Sequence, residues 1–231
     1  MKIAIMGAMP EEIAPILEKF GEYKTTKYAA NNYYEVNYKG VELVIAYSKI
    51  GKVFSTLTAA SLIEKFGCDR LLFSGVAGAI SPELNVGDLV IATKLAQHDL
   101  DITAFGHPHG YVPEGSVFIE ADKDMLEMAK EVASDMTKDV KEGIIATGCQ
   151  FIADEDKKNW IGDMFGADAL EMEGASVAVV CNALDVPFFI LRAISDAADM
   201  DASFSFDEFL EKSALESATF IMKMVDKLVE K

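Results

Sequence analysis

The chain has 231 residues and a formal net charge of −17. That length can bury a large core, and that charge repels nucleic-acid backbones and anionic membrane surfaces, so a polyanionic partner is excluded. Cys68, Cys149 and Cys181 are few, odd in number and widely spaced, which fits a reducing cytoplasm, gives no zinc spacing and reads as structural.

The N-terminus is apolar, but Glu11 and Glu12 interrupt it too early for a signal peptide, and no stretch approaches a membrane span. A strand is predicted at 2–6 and a helix at 10–20. Two further strands, 33–38 and 41–47, flank Lys39 and Gly40 as a hairpin turn. A helix follows at 52–66, then strands at 70–74 and 88–93, a helix at 122–136 and a strand at 142–147. Helices at 154–165 and 174–184, a strand at 187–194 and a helix at 206–229 complete the pattern. Ser205 and Glu208 suit a capping box for the last helix, whose apolar stripe passes through Phe209, Leu210, Ala214, Leu215, Ala218, Ile221, Met222 and Val225. Gly75, Ala77 and Gly78 suggest a tight turn after a strand, yet no GxGxxG opens a helix, which speaks against a dinucleotide loop. His98, His107 and His109 read as surface-loop residues without metal spacing.

Alternating strands and helices around an early hairpin predict an α/β fold with three layers, a central mixed twisted sheet flanked by helices. No Pro/Gly/Ser-rich linker or charge run divides the chain, so 1–231 is expected to form a single domain.

Ionisable residues lie just past the ends of apolar runs: Glu11 and Glu12 after the first strand, Glu171 and Glu173 in ALEMEGA, and Arg192 and Asp196 in LRAISD. In open α/β sheets ligands bind outside the carboxyl ends of strands, so charges there face a crevice. Three acidic clusters, with one of only two arginines between two of them, point to acid/base chemistry on a small polar molecule.

Seven segments, GAMPEE (7–12), SKIGKV (48–53), FSGVAGA (73–79), DITAFGHPHG (101–110), ALEMEGA (169–175), RAISD (192–196) and SFDEFL (205–210), together resemble the 5′-methylthioadenosine/S-adenosylhomocysteine nucleosidases. These belong to the purine nucleoside phosphorylase and uridine phosphorylase superfamily. The resemblance runs from Met1 to the last helix. It implies a nucleoside phosphorylase-like fold and hydrolysis of an N-glycosidic bond in adenine nucleosides, with no metal or organic cofactor. Asp196 would be the general acid that protonates adenine N7, held by Ser195; a turn-capping role is the structural alternative. Glu12 would be the general base for water, or else an acid favoured in the first turn of a helix. Glu173 would hold the ribose hydroxyls and stabilise the oxocarbenium, with Met172 against the sugar. Glu171 is expected to contact Arg192, which either orients Glu12 and the water or forms a buried structural ion pair.

Phe151 and Ile152 match the adenine-stacking segment, and Val76, Ala77 and Gly78 a backbone approach to the ligand. Met9, Ile50 and Phe206 would wall the 5′-substituent, although ordinary core packing also explains them. Family members cover a neighbour's site across a two-fold interface with the segment 101–113, so a homodimer is expected, with Phe105, His107 and Pro113 contributed by the partner. The segments SKIGKV, FSGVAG and QHDLDITAFGHPHG particularly resemble members that accept 6-amino-6-deoxyfutalosine on a route to menaquinone. Three positions depart from the common pattern. Val76 stands where serine is frequent, Cys149 where Gly-Asp is common, with a buried inert thiol expected, and His107 where tyrosine is frequent. Two other functions compete with hydrolysis: a phosphate-dependent phosphorylase of the same fold, and a nucleoside sensor without turnover. Acids in MPEE would repel phosphate, against the first; the presence of Glu12, Glu173 and Asp196 argues against the second.

Overall fold

A computed structural model describes residues 1–136, 140–199 and 202–230. The chain opens with β1 (Lys2–Gly7) and α1 (Pro10–Phe20), followed by β2 (Lys24–Tyr28), β3 (Asn31–Tyr38) and β4 (Val41–Tyr47). Next come α2 (Lys52–Ala60), widened to π-type hydrogen bonding over Ser61–Lys65, then β5 (Arg70–Ala79), β6 (Leu89–Gln97), β7 (Phe118–Glu120) and α3 (Lys123–Ser134). The remainder is β8 (Val140–Thr147), α4 (Glu155–Phe165), β9 (Ala169–Glu171), α5 (Gly174–Ala183), β10 (Phe188–Asp196) and α6 (Ala202–Val229). Among the described residues no helix is long and apolar enough to cross a membrane.

The strands form one mixed sheet, as the early hairpin and the alternating pattern imply. β1 is apolar on both faces because both are covered. Ala4 and Met6 join the core beneath α2 and α5, while Ile3 and Ile5 join the core beneath α1, α3 and α6. Helices therefore lie on both faces of the sheet. Lys39 and Gly40 make the expected hairpin turn, both at positive φ between β3 and β4.

β5 is the hinge of the architecture. Its first residues, Arg70–Phe73, pair with β1, and it then runs on against β10 and ends against β9 at Gly78 and Ala79. Because β10 also pairs β6, β6 pairs β8 and β8 pairs β9, five strands close into a ring with β1–β4 as an extension. The expected turn at Gly75–Gly78 is therefore absent: those residues continue the strand. Their missing side chains serve the approach of other groups, since a Cβ on Gly78 would lie 2.8 Å from Asp196 Oδ1.

Three further expectations are corrected. α6 begins at Ala202, so Ser205 and Glu208 lie inside the helix and form no capping box at its start. Its buried face keeps Ala214, Ala218, Ile221, Met222 and Val225 of the expected stripe but is wider: Leu215 is exposed, and Ser213, Ser217, Phe220 and Met224 are buried as well. His98 is a core residue packed under Gly148, with neither ring nitrogen bonded to a protein atom.

Candidate active site

The strand ends converge on a cleft that, with the open solvent at its mouth, holds about 540 Å³ of empty space. Glu12 enters it from the first turn of α1. Its Oε2 accepts from Ala8 N and from Met9 N (3.0 Å), and its Oε1 accepts from Val76 N at 3.1 Å. Burial raises the Glu12 pKa; Arg192 and the three N–H bonds oppose that rise. The helix-turn reading and the cleft reading of Glu12 thus coexist in one side chain.

Asp196 reaches the cleft because β10 is irregular there. The register against β5 shifts between Ile194 and Asp196, which sets Asp196 opposite Gly78. Asp196 Oδ2 accepts from Ser195 Oγ at 2.8 Å and Oδ1 from Ala198 N at 2.9 Å, a turn cap that leaves the carboxyl lining the cleft. Burial raises its pKa, opposed by those two hydrogen bonds, and Asp199 adds to the rise. Unlike at Glu12, no coulombic pull from a described cation is among the causes that set this shift. Ser195 Oγ also lies 3.4 Å from Ala77 O, a second acceptor for its hydrogen when Asp196 is protonated.

Glu173 precedes α5 but does not cap it. That work falls to Glu171, whose Oε2 accepts from Gly174 N (2.7 Å) and Glu173 N (3.2 Å). The Glu173 carboxylate is thereby free to accept Gly51 N–H at 2.7 Å, at the start of α2. Burial and the neighbouring Glu171 push its pKa up to about 8, against the pull of Arg192.

Arg192 lies behind the cleft wall and does not line it. It is 1% exposed, with Nη2 2.6 Å from Glu171 Oε2 and its guanidinium carbon 4.1 Å from the centre of the Phe73 ring. The expected Glu171–Arg192 contact is present, and the buried ion pair reading holds for Arg192. Its influence on Glu12 is electrostatic, across Gly75.

The remaining expected wall residues are brought together. Met9, Ile50, Phe206, Phe151, Ile152, Val76, Ala77, Gly78, Met172 and Ser195 all line the one cleft. Phe151 meets Phe206 edge to face, with ring centres 5.7 Å apart. Ile50 is 55% exposed, which removes the ordinary-core reading for that residue. Phe105, His107 and Pro113 lie on an exposed loop and do not line this chain's cleft; Phe105 is 81% exposed. Cys149 is exposed, against the expected buried thiol, and its Sγ faces Lys52 N at the start of α2 (3.4 Å). Cys68 and Cys181 are buried, each thiol pushed up to about 12 by burial.

Sequence reasoning missed Ala8, Gln150 and Leu170 in the cleft wall. It also missed Thr147, whose hydroxyl bonds Glu171 Oε1 and accepts Ala175 N at 2.8 Å. Thr147 ends a strand as the acids do, but an uncharged residue there carries no signal.

A model described as the phosphorylase superfamily matches residues 2–229. The aminodeoxyfutalosine nucleosidase of Campylobacter jejuni is 59% identical over 228 residues, covering 99% of this chain and 100% of that protein. The 5′-methylthioadenosine/S-adenosylhomocysteine nucleosidase of Anoxybacillus flavithermus is 38% identical, covering 99% of each. Among solved structures, the Helicobacter pylori nucleosidase carrying an aspartate-to-asparagine change, with 5′-methylthioadenosine in its active site, superimposes with a TM-score of 0.96. It is 49% identical, covering 98% of both chains. The family match spans every element that shapes the cleft, from β1 to α6, and the chain belongs to the phosphorylase superfamily.

Proposed function

We propose that the cleft hydrolyses the N-glycosidic bond of 5′-methylthioadenosine, S-adenosylhomocysteine and 6-amino-6-deoxyfutalosine, releasing adenine. One observation carries this reading: Asp196, Glu12 and Glu173 line the same cleft in three different surroundings. Asp196, its pKa raised by burial, is suited to hold a proton and give it to adenine N7 as the bond to N9 breaks. Adenine departs with the bonding electrons, leaving an oxocarbenium at C1′. Glu173, gripping the 2′ and 3′ hydroxyls and drawn into its carboxylate form by the cation developing beside it, opposes that positive charge, an interaction stronger in the transition state than with the neutral sugar. Water then attacks C1′ and loses its proton to Glu12, whose carboxylate form is supported by Arg192 and three N–H donors. Phe151 stacks on the purine, Ile152 meets its edge, and Met172 packs against the sugar.

Water rather than phosphate is the nucleophile in this reading. The N–H groups of Ala8, Met9 and Val76, which could cradle an anion, are already bonded to Glu12, and the nearby guanidinium of Arg192 is bonded to Glu171. The carboxyls carry both proton transfers, so the reaction calls for no metal or organic cofactor. Residues 1–231 act as one catalytic domain in the cytoplasm, and two copies complete each other's clefts with Phe105, His107 and Pro113. Adenine release from methylthioadenosine, measured in phosphate-free and phosphate-containing buffer, tests the reading. Equal rates are expected; release that requires phosphate would make the enzyme a phosphorylase, and binding without release would make it a sensor.

A further inference from the structure

Lys52, the first residue of α2, follows Gly51 and reaches the end of β6. Its Nζ lies 2.5 Å from Asp99 Oδ1 and 3.1 Å from Gln97 Oε1. The second oxygen of Asp99 accepts Cys149 N at 2.8 Å, and the backbone N–H of Lys52 faces Cys149 Sγ. Three segments remote in sequence meet on two side chains: the start of α2, the end of β6 and the stretch between β8 and α4.

Two of those segments contribute to the cleft lining. Gly51 donates to Glu173 and Ile50 lines the cleft beside it, while Phe151 and Ile152, the residues proposed to meet the purine, line it from the stretch after Cys149. Gly51 has φ 98° and ψ 158°, a conformation favouring glycine, and this backbone bend aims its N–H at the carboxylate. Where that N–H points is fixed by its neighbours. The nearest anchor further along α2 is Ser55, whose hydroxyl bonds Ser176 at 2.7 Å. Between Gly51 and Ser55, the side chain that ties the helix start, through Asp99, to the backbone of Cys149 next to Gln150 and Phe151 is Lys52.

We propose that Lys52 and Asp99 are positioning residues: their ion pair locks the purine-side segment to the Gly51 N–H that aims Glu173, so purine and ribose are gripped in one fixed relation. This rests on the reading of Glu173 as the ribose and oxocarbenium holder. The reaction needs adenine N7 at Asp196 and C1′ at Glu173 at the same moment, and a misplacement of about 1 Å can cost on the order of 10²-fold in rate. A partly exposed ion pair adds little to stability by itself, so its kinetic effect is separable from folding.

The test is kcat and KM for methylthioadenosine in Lys52→Met, Asp99→Asn and the double variant, with Lys52→Arg as the conservative change. Each single variant is expected to lower kcat about tenfold or more per folded molecule, within the range that misplacement produces, while KM moves less. The double variant should be no worse than either single, because one unit is broken once. Lys52→Arg should recover most of the turnover. Should Lys52→Met fail to fold, Asp99→Asn decides, since its amide oxygen still accepts the Cys149 N–H. Glu173→Gln measured in parallel separates the two ideas. Undiminished turnover in Glu173→Gln removes the reading of Glu173. An impaired Glu173→Gln beside wild-type kcat in Lys52→Met and Asp99→Asn overturns the positioning role alone, as does a loss explained wholly by unfolded protein.

Discussion

Glu12 and Arg192 approach each other over Gly75, where a Cβ would lie 3.0 Å from Glu12 Oε1 and 2.9 Å from Arg192 Nη1. Gly75 sits inside β5, where glycine weakens a strand, and its bare backbone lets a cation stand near a buried acid. That proximity is what opposes the desolvation of Glu12.

Gly75→Ala should therefore wedge the pair apart and raise the Glu12 pKa further. A base must be ionised to accept a proton, so the acidic limb of the kcat/KM profile should move to higher pH, with turnover at neutral pH falling about tenfold or more, as general-base losses do. A pH–rate profile that overlays the wild type would detach Arg192 from the chemistry.

Asp196→Asn should nearly abolish hydrolysis while nucleoside binding survives, because the amide keeps a hydrogen bond but has no acidic proton to give. General acid catalysis is worth on the order of 10²- to 10⁴-fold. Single-turnover adenine release beside a binding isotherm measures both, and a variant retaining a third of wild-type turnover would remove Asp196 from its role.

Much of this was legible from the chain, for identifiable reasons. β4 and α1 fall on their predicted bounds because apolar runs, Pro10 and the Lys39–Gly40 turn mark their ends. The acids of the site announced themselves as charges just beyond apolar strands. β2 gave no signal because its hairpin turn uses Ala29 and Ala30 at positive φ, where neither residue is favoured, and the strand is mostly exposed. β9 is three residues long, too short for any period. The closure of the ring and the role of Gly51 depend on pairings between distant segments, which no local pattern encodes. The last helix already includes Ala202, which is buried, so the capping signal at Ser205 and Glu208 lies inside it and marks no helix end.

Stability should respond to pH through Glu173. Its carboxyl ionises near 4.5 when unfolded and at about 8 when folded, so between those values the unfolded state binds fewer protons and stability falls as pH rises. The contribution is complete below about 4.5 and lost by about 8. Glu173→Gln removes this penalty, so it should melt higher than wild type at pH 8, with the gap closing toward pH 4.5. For a chain of this size each kcal/mol moves the melting temperature by about 2–4 °C. Calorimetric melts across that range check the sign; a gap that widens toward acid would contradict the burial argument.

The proposed self-association runs through the loop holding Phe105, His107 and Pro113. All three are exposed on one chain, and His107 stacks on Tyr111 with ring centres 4.6 Å apart, which presents a firm surface to a neighbour. Phe105→Ser should weaken the dimer and raise KM together. Sedimentation that finds an active monomer at assay concentration would refute the shared cleft.

Substrate breadth is decided at the 5′ end. Methylthioadenosine, S-adenosylhomocysteine and aminofutalosine share the adenine and ribose that Asp196, Phe151 and Glu173 are proposed to grip, and differ in what leaves past Met9, Ile50 and Phe206. Ile50 stands half in solvent on one chain, at the flank proposed for the 5′ exit, which in this reading discriminates little between tails. Ile50→Trp would narrow it. A rigid methylthio group still fits a narrowed exit, whereas the two longer tails must pass the indole and lose contacts worth about 1–3 kcal/mol, or roughly 10- to 200-fold in kcat/KM. Measuring kcat/KM for all three substrates in both enzymes gives the result. An equal fall for all three would place Ile50 elsewhere than the exit, and wild-type enzyme that cleaves methylthioadenosine but releases no adenine from aminofutalosine would confine the activity to the narrower pair.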